Sequence, residues 1–315
     1  MTEKLKVGVV GVGYLGKFHA KIYAGLPNVE LVGVVDANKE NGKNIAEQYG
    51  CEFFESADEL LDKVQAVNIV VPTSLHREVA EPFLKAGIHT LIEKPLASSV
   101  ADSEALVKLA KDCRSLLQVG HLERFNAGMI GLANNVTNPR YIDAQRLGQF
   151  TVRATDVDVI TDLMIHDIDI VLSLVPSKLK TVMATGTCVL TDHVDIANAR
   201  LEFENGAVAS ITASRVARER MRKLRVFEAD CYWGLDFEKQ NLQKVAAGGR
   251  NVETGYPDIV TTDMQVESVM PLDEEIIHFV DCVLNNKQPL VSGEIGLQAL
   301  AVADEIRESI AASAV

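Results

Sequence analysis

The chain has 315 residues, of which 47% are hydrophobic and 24% are charged, as in an ordinary globular protein. This length exceeds the size at which a single hydrophobic core usually keeps growing, so we expect two domains. The formal net charge of −13 argues against non-specific binding to nucleic acid or to an anionic membrane surface.

The cysteines and histidines do not indicate a disulfide framework or a metal site. The five cysteines are scattered without ligand spacing, and the seven histidines do not cluster. The N-terminus runs directly into a predicted strand, which leaves no room for a secretory signal, and no apolar run reaches the length of a transmembrane helix. We therefore expect a cytoplasmic protein that binds no metal.

The first 120 residues alternate short β-branched runs with helical segments, which is typical of βαβ units and a parallel sheet. Residues 66–71 form a nearly continuous apolar run, as expected of a strand covered by helices on both faces. Strands are predicted at residues 5–10, 31–35, 51–54, 66–71, 89–92 and 116–119. Helices are predicted from the first glycine-rich turn to residue 23, and at residues 39–49, 57–61 and 98–113.

The pattern changes after His121, where strand-like runs follow one another with turn residues between them. Asn205-Gly206 lies between two such runs and is a strong hairpin signal. Strands are predicted at residues 196–203, 207–213 and 223–229, and helices at residues 159–174, 272–284 and 295–312. We therefore expect an α/β Rossmann domain at residues 1–122 and an α+β domain with a mostly antiparallel sheet at residues 123–315.

A glycine-rich motif, Gly11-Val12-Gly13-Tyr14-Leu15-Gly16, lies between the first predicted strand and helix and matches the dinucleotide-binding fingerprint. The first glycine permits a tight turn, the second lets the backbone approach a pyrophosphate, and the third allows close helix–strand packing. The helix N-terminus adds N–H groups and a favourable dipole for the bound anion. We therefore expect a dinucleotide to be bound by Gly11, Gly13, Tyr14, Leu15 and Gly16.

Asp36 ends the second predicted strand, 20 residues after Gly16. A carboxylate in this position can accept hydrogen bonds from both ribose hydroxyls and would repel the 2′-phosphate of NADP. No arginine follows Asp36 directly, although Lys39 could offset part of the repulsion. The sequence therefore favours NAD over NADP as the cofactor.

Glu93-Lys94-Pro95 follows another buried strand, at the sheet edge where open α/β folds bind their ligands. The proline disfavours helical geometry for Lys94 and so keeps the lysine out of the following helix. A lysine aimed into that cleft could hydrogen-bond the reacting oxygen and hold its developing charge as hydride leaves. The alternative is a surface lysine in a loop.

Asp162 and His166 lie four residues apart on the long predicted helix of the second domain, and hence on one helical face. Asp169 and Ser173 continue this polar stripe among apolar positions, which indicates a cleft rather than a solvated face. His166 could accept a proton from an alcohol, and Asp162 could orient it or bind the substrate. The alternative is a structural Asp–His pair at a domain interface.

Together with Val71-Pro72-Thr73-Ser74-Leu75-His76 and Gly120-His121, these motifs resemble the glucose–fructose oxidoreductase, inositol dehydrogenase and MocA (Gfo/Idh/MocA) family. The resemblance covers essentially the whole chain in order. It implies a Rossmann domain followed by an open-faced, mostly antiparallel sheet, whose outer face commonly forms a homodimer or homotetramer. One departure is Leu163-Met164, where many members have a glycine, and this difference could reshape the substrate pocket.

The same resemblance implies roles for individual residues. Lys94, Asp162 and His166 would form the catalytic set and would also contact the substrate. The residues lining the cofactor would be Pro72, Thr73, His76, Glu93 and Lys94, with His121 near the nicotinamide. These assignments describe an NAD-dependent dehydrogenase that acts on a CH–OH group of a sugar or nucleotide sugar.

Two segments bear on the identity of the substrate. Residues 146–158 precede the predicted catalytic helix, and a basic stretch follows at residues 215–225. This basic stretch holds Arg215, Arg218, Arg220, Arg222, Lys223 and Arg225 with a single acid, Glu219. Because arginine contacts phosphate in a bidentate manner, the stretch could hold a nucleotide sugar; the alternatives are a solvated hairpin and a subunit contact.

Within the family, residues 123–126, residues 146–158 and the catalytic helix look most like UDP-N-acetylglucosamine 3-dehydrogenases. That likeness implies oxidation of the C3 hydroxyl of UDP-N-acetylglucosamine to a ketone, with Arg124, Arg153 and Arg215 as further substrate-binding residues. Two alternatives stay open, a dehydrogenase of a free polyol or sugar such as inositol, and a non-catalytic NAD-binding sensor. The intact set of Lys94, Asp162 and His166 argues against the sensor.

Overall fold

The computed structural model describes residues 4–151 and 157–313 and divides the chain into two compact units. The first unit comprises Met1–Leu122 and Leu272–Leu300, and the second comprises Glu123–Pro271 and Ala301–Val315. The expected boundary near residue 122 coincides with the end of the first continuous segment. Residues 272–300, however, lie with the first unit rather than with the second domain to which the sequence assigned them.

The first unit is built on a six-stranded, fully parallel sheet. Its strands are β1 (Leu5–Val10), β2 (Val29–Val35), β3 (Glu52–Phe54), β4 (Ala66–Ile69), β5 (His89–Glu93) and β6 (Leu117–Gly120). Its first four α-helices are α1 (Gly16–Gly25), α2 (Lys39–Tyr49), α3 (His76–Lys85) and α4 (Val100–Asp112). The strand order β3-β2-β1-β4-β5-β6 reverses direction between β1 and β4, which is where a doubly wound sheet binds its ligand. The predicted Rossmann fold is thus confirmed.

Local sequence explains several of these elements. Strands β4 and β6 are buried along their whole lengths, as the apolar pattern of covered parallel strands predicts. Asn38 caps the start of α2, and Gly50, with a φ of 68°, ends it in the left-handed conformation. Ser56 caps a short 3-10 helix at Ala57–Leu60 through a capping box.

The second unit contains an eight-stranded sheet and two α-helices of its own, α5 (Ala127–Ala133) and α6 (Ile165–Leu174). The strands are β7 (Tyr141–Leu147), β8 (Leu179–Thr187), β9 (Ile196–Phe203), β10 (Val208–Ser214), β11 (Met221–Phe227), β12 (Cys231–Asp236), β13 (Asn241–Arg250) and β14 (Pro257–Met264). Their order is β14-β13-β12-β11-β7-β10-β9-β8. Among the strands of the described residues, only β7 and β10 of this sheet pair in parallel, so the predicted mostly antiparallel sheet is confirmed.

One face of the second sheet is covered and the other is open. In β7, Ile142, Ala144 and Arg146 are buried, whereas the residues between them are half-exposed or exposed. The same alternation runs through β9 and β10, and α6 contacts β7 and β10 on the covered face. Strand β14 is exposed along nearly its whole length.

The helix predicted at residues 159–174 is present, but it is not a uniform α-helix. Ile160–Met164 form a π-helical turn that leads directly into α6. Such turns are rare, occur frequently at functional sites and alter the rotation between the residues on either side. Asp162 lies in the π turn and His166 in α6, so their angular offset differs from the α-helical offset on which the predicted common face was based.

Two long helices near the C-terminus are α7 (Pro271–Asn285) and α8 (Gly293–Ser313). Helix α7 contributes Ile276, Phe279 and Val280 to the core cluster that contains Val7 and Val34 of the parallel sheet. Covering these apolar strands is the physical reason why this segment belongs to the first unit. The amphipathic pattern predicted both helices, but such a pattern does not identify the sheet on which a helix packs.

Three further observations on the described residues concern membrane-spanning helices, metal-binding groups and cysteines. No helix there combines the length and the apolar character needed to cross a bilayer. Residues 4–151 and 157–313 contain no group of three or more His, Cys, Asp or Glu side chains arranged to hold a metal ion. The five cysteines are free thiols.

Candidate functional site

The glycine-rich turn between β1 and α1 has the backbone geometry that the dinucleotide fingerprint requires. Gly11 has a φ of +87°, and a Cβ there would lie 2.6 Å from the carbonyl oxygen of Val70. A Cβ at Gly16 would collide with the carbonyl oxygen of Gly11, whereas a Cβ at Gly13 would meet open space. The outer glycines are therefore required by the turn, and the middle one leaves the backbone open to a ligand.

The start of α1 offers further groups to an anion. Among the described residues, no side chain caps this helix, which begins at Gly16. Tyr14 is exposed and Leu15 half-buried beside it, and the Lys17 ammonium lies 5.8 Å from the centre of the Tyr14 ring. Because the N–H groups of a helix N-terminus and its dipole attract phosphate, this cradle fits the pyrophosphate of a dinucleotide.

Asp36 is fixed beside this turn. Its Oδ2 accepts a hydrogen bond of 2.8 Å from the backbone N–H of Val12, and its Oδ1 accepts one of 2.8 Å from that of Asn38. Asn41 donates through Nδ2 to the Val12 carbonyl at 3.0 Å and to Asp36 Oδ2 at 3.4 Å. This arrangement presents a carboxylate to the ribose that the turn would hold.

Lys39 does not offset the charge of that carboxylate. Its Nζ lies 2.8 Å from Glu55 Oε1, on the exposed surface. The repulsion between Asp36 and a 2′-phosphate therefore stands, and the local geometry fits NAD.

The remaining predicted cofactor residues of the first unit lie at or after the carboxyl ends of its strands. Pro72 is exposed and Thr73 half-buried after β4, and Lys94 is half-buried after β5. The Lys94–Pro95 peptide bond is cis. His121 follows β6 and is almost fully buried. These four positions share the sheet edge at which the glycine-rich turn also lies.

His76 joins two of these segments rather than facing outward. Its Nδ1 lies 2.9 Å from the carbonyl oxygen of Pro95, and its Nε2 lies 3.0 Å from that of Val71. The ring is almost fully buried, and burial lowers the pKa of His76 below its ordinary value. The side chain therefore holds the segment after β4 against the segment that follows Lys94.

Glu93 also points inward, into a buried chain of polar groups. Its Oε1 lies 3.2 Å from Nε2 of His19, and its Oε2 accepts a 3.3 Å hydrogen bond from the backbone N–H of Lys94. Asn68 donates to Nδ1 of His19 at 2.8 Å and accepts a 2.6 Å hydrogen bond from the hydroxyl of Tyr23. This group of buried polar side chains links α1, β4 and the end of β5, and so positions Glu93, the residue that precedes Lys94.

A second carboxyl group lies in the same interior. Glu275 of α7 is fully buried, and no described residue hydrogen-bonds its carboxyl oxygens. Burial raises the pKa of Glu275 well above its ordinary value, and the charge of Glu93 raises it further. Burial and the charge of Glu93 therefore favour the protonated form of Glu275.

In the second unit, Asp162 is half-buried in the π turn and His166 is buried in α6. The turn is capped by Asp158, whose Oδ1 accepts a 2.8 Å hydrogen bond from the backbone N–H of Thr161. The backbone N–H of Asp162 donates to the carbonyl of Asp158 at 3.1 Å. The side-chain and backbone oxygens of Asp158 thus fix where the helix starts relative to Asp162.

The residue directly after His166 anchors α6 to the sheet. Asp167 accepts two hydrogen bonds of 2.9 Å from Arg146, one from Nε and one from Nη2. Arg146 also donates through Nη1 to Glu123 Oε1 at 2.8 Å. Burial opposes the charge of Arg146, but the two carboxylates outweigh it and raise the pKa of the guanidinium. This buried network holds the His166 segment against β7.

The predicted polar stripe beyond His166 does not form a cleft. Asp169 is buried and accepts a 3.3 Å hydrogen bond from Nη1 of Arg124. Ser173 is exposed, and its hydroxyl donates to the carbonyl of Ile170 at 2.7 Å. Arg124, a predicted substrate residue, is therefore engaged in an ion pair that ties the start of the second unit to α6.

The basic stretch at residues 215–225 does not form one patch. Arg215 is buried, with Nη2 donating to the carbonyl of Val157 at 2.5 Å and Nε 3.7 Å from Asp195. Arg225 lies on the open face of the sheet, 3.3 Å from Asp143, because alternate residues of β11 point to opposite faces. Arg153, a further predicted substrate residue, lies outside the described residues.

Several residues that organise the site did not stand out in the sequence: His19, Asn41, Arg146, Asp167 and Glu275. A signal existed for Arg146, since it occupies an inward-facing position in the alternating pattern of β7 and an inward arginine requires a buried partner. For each of the others, at least one partner lies far away in sequence, as with Glu93 and Glu275, so only the folded chain brings them together.

Comparison with known proteins identifies the family to which both parts of the chain belong. Residues 5–121 match an oxidoreductase family with an NAD-binding Rossmann fold, and residues 126–229 match the GFO/IDH/MocA C-terminal domain. The chain is 37% identical to the UDP-N-acetylglucosamine 3-dehydrogenase of Acidithiobacillus ferrooxidans over 98% of both chains. A solved structure of that enzyme matches this fold with a TM-score of 0.93 over 98% of both chains.

A second relative is more distant. The chain is 27% identical to the scyllo-inositol 2-dehydrogenase (NAD(+)) of Bacillus subtilis, over 93% of this chain and 90% of that protein. Both domain matches occur in the order expected from the sequence, and the glycine-rich turn and Asp36 have the geometry that an NAD-binding fold requires. The chain therefore belongs to the GFO/IDH/MocA family of NAD-binding oxidoreductases.

Proposed function

We propose that this chain oxidises the C3 hydroxyl of UDP-N-acetylglucosamine to a ketone, with NAD as the hydride acceptor. The observation that carries the proposal is its similarity, over nearly the full length of both chains, to an enzyme named for that reaction. The choice of NAD as the hydride acceptor is supported by the Asp36 carboxylate, which is held beside the phosphate-binding turn by Val12, Asn38 and Asn41.

Bound NAD would supply the hydride acceptor, so the protein has to orient the sugar and remove the hydroxyl proton. We assign proton removal to His166 or Lys94, and contact with the sugar to Asp162, Lys94 and His166. Histidine suits this role because its ordinary pKa lies close to neutral pH. The Arg146–Asp167 pair supports the assignment, since it fixes the helix on which His166 lies.

The test is reduction of NAD, followed by the absorbance of the reduced nicotinamide, with a panel of UDP-N-acetylglucosamine, UDP-glucose, myo-inositol and glucose. We expect turnover with the acetylated nucleotide sugar and little with the free sugars. Turnover with inositol or glucose alone would contradict the proposal.

A dehydrogenase of a free polyol or sugar is the second candidate. It is favoured by the similarity to an inositol dehydrogenase and by the dispersal of the basic stretch, which was the sequence argument for a nucleotide. A non-catalytic sensor is the third, and bound NAD without turnover of any sugar would favour it. The same panel therefore separates all three functions.

We further propose a homodimer or homotetramer formed through the open face of the second sheet. An aromatic row crosses that face, with ring centres 5.7 Å apart for Tyr141 and Phe227 and 5.2 Å apart for Phe227 and Tyr232. Exposed aromatic side chains are enriched at subunit interfaces. Light scattering should give the mass of two or four chains, and Tyr232→Glu should reduce it.

We also place the protein in the cytoplasm, which its free thiols support.

A further inference from the structure

We propose that Arg222 binds the diphosphate of the nucleotide-sugar substrate, an inference that rests on the proposed function. Arg222 lies near the start of β11 and, like the buried Leu224 and Val226, points to the covered face of the sheet. Its side chain is 34% exposed, so it can reach both the interior and a ligand.

No side chain of the described residues accepts a hydrogen bond from the guanidinium of Arg222. Its closest side-chain partner is Glu123, with Nη1 3.7 Å from Oε1, which is too long for a hydrogen bond. The same oxygen already accepts a 2.8 Å hydrogen bond from Arg146. A guanidinium carries five N–H groups in a planar fork, so Arg222 can donate to a further group of acceptors.

The guanidinium of Arg222 lacks a hydrogen-bonded counter-ion. Glu123 and Asp167 balance the charges of Arg146 and Arg222, but both carboxylates make their short contacts with Arg146, and Glu123 lies 3.7 Å from Arg222. Burial and the adjacent charge of Arg146 lower the pKa of Arg222, and Glu123 offsets only part of this effect, so a bound anion would stabilise the charged guanidinium. Phosphate oxygens also match the bidentate geometry of arginine.

The position of Arg222 relates it to the candidate catalytic helix. In the β7–β11 pairing, Arg222 stands opposite Arg146, whose guanidinium binds Asp167, the neighbour of His166. The chain leaving β7 runs beside the chain entering β11, because Gln149 donates to the carbonyl of Arg218 at 2.8 Å. Arg222 therefore lies where the segment that leads to Asp162 begins.

The other arginines of the basic stretch are less suited to this role. Arg215 is buried against Val157 and Asp195, and Arg220 forms an ion pair with Glu238. Arg225 points to the open face of the sheet. Arg218 is exposed and lies before the strand begins, so the strand does not direct its side chain to the covered face.

The test compares Arg222→Gln with Arg225→Gln, a control three residues further along the same strand and on its opposite face. UDP and inorganic pyrophosphate are titrated into the full-length protein by calorimetry, with NAD saturating so that neither probe enters the cofactor site. Steady-state constants for UDP-N-acetylglucosamine are measured in parallel. We expect Arg222→Gln to raise the Kd for UDP and the KM for the nucleotide sugar ~10-fold or more, with a much smaller change in kcat. Arg225→Gln should match the wild type in both.

The outcomes separate the two proposals. Equal UDP binding by Arg222→Gln and Arg225→Gln would overturn the role of Arg222 while leaving the proposed substrate in place. A wild-type protein that ignores UDP but oxidises a free sugar would overturn the nucleotide sugar itself. A structural role for Arg222 would lower the unfolding temperature without a selective loss of UDP binding.

Discussion

The guanidinium of Arg146 holds the carboxylate of Asp167 in a buried bidentate ion pair, directly after His166 in the chain. Removing the charge of one partner leaves the other buried without full compensation, which typically costs about 3–5 kcal/mol. Asp167→Asn should therefore lower the free energy of unfolding by an amount in this range, measured by denaturant titration. Because α6 loses its anchor, kcat should also fall. Asp112→Asn, which removes an exposed ion pair with Lys108, is the control and should leave the unfolding midpoint unchanged.

Glu275→Gln tests the buried, protonated carboxyl. The ordinary pKa of this group is 4.5, and the folded protein raises it, so the wild type loses stability as the pH rises above 4.5 towards the folded value. Glutamine does not ionise. We therefore expect the variant to unfold at the same temperature as the wild type near about pH 4, and at a higher temperature near about pH 8.

The control for this pH series is Glu78→Gln, on the exposed surface of α3. If Glu275→Gln unfolded at a lower temperature than the wild type near about pH 8, the ionised carboxylate would be stabilising and the protonated assignment would be wrong.

Asp36→Ser should change the choice of cofactor. The substitution removes the acceptor for the ribose hydroxyls and the charge that repels a 2′-phosphate. The ratio of kcat/KM for NAD to that for NADP should fall by ~10-fold or more. Asp58→Ser, at an exposed acid elsewhere in the first unit, should leave the ratio unchanged, and an unchanged ratio in Asp36→Ser would exclude this role for Asp36.

Lys94→Ala separates catalysis from cofactor binding. Loss of a group that acts on the reacting hydroxyl should reduce kcat by roughly 10²–10⁴, while the Kd for NAD stays close to that of the wild type. Turnover and calorimetric NAD titration give the two quantities. Lys85→Ala, at an exposed ion pair with Glu81, is the matched control. Near-normal turnover in Lys94→Ala would remove Lys94 from the catalytic set.

Patterns within short segments were enough to predict much of the first unit. The turn at Gly11–Gly16, the cap at Ser56 and the apolar run at residues 66–71 each act through neighbours in the sequence, and each is present in the fold. Asn205-Gly206 likewise joins β9 and β10, with Gly206 at a φ of 86°. Here local chemistry alone determines the conformation.

Elements without a local pattern were not predicted. Strand β14 (Pro257–Met264) is exposed on both faces, so its sequence carries no alternation of apolar and polar residues. Strand β7 has such an alternation, but its third inward residue is Arg146, whose burial depends on Asp167. The arginines at residues 215–225 are adjacent in the sequence but separated in the fold for the same reason. Strand alternation directs them to opposite faces of the sheet, and acids that are distant in sequence pair with several of them.

Because residues 272–300 belong to the first unit, the order of translation also limits when that unit can complete its core. Val7 and Val34 are made early, yet their core cluster includes Phe279, and residues 123–271 must be translated before that side chain exists. The NAD-binding unit therefore cannot complete its core on the ribosome until the sheet of the second unit has been synthesised. A fragment that stops at residue 122 would leave the side of the parallel sheet that α7 covers open to water, where it could aggregate instead of binding NAD.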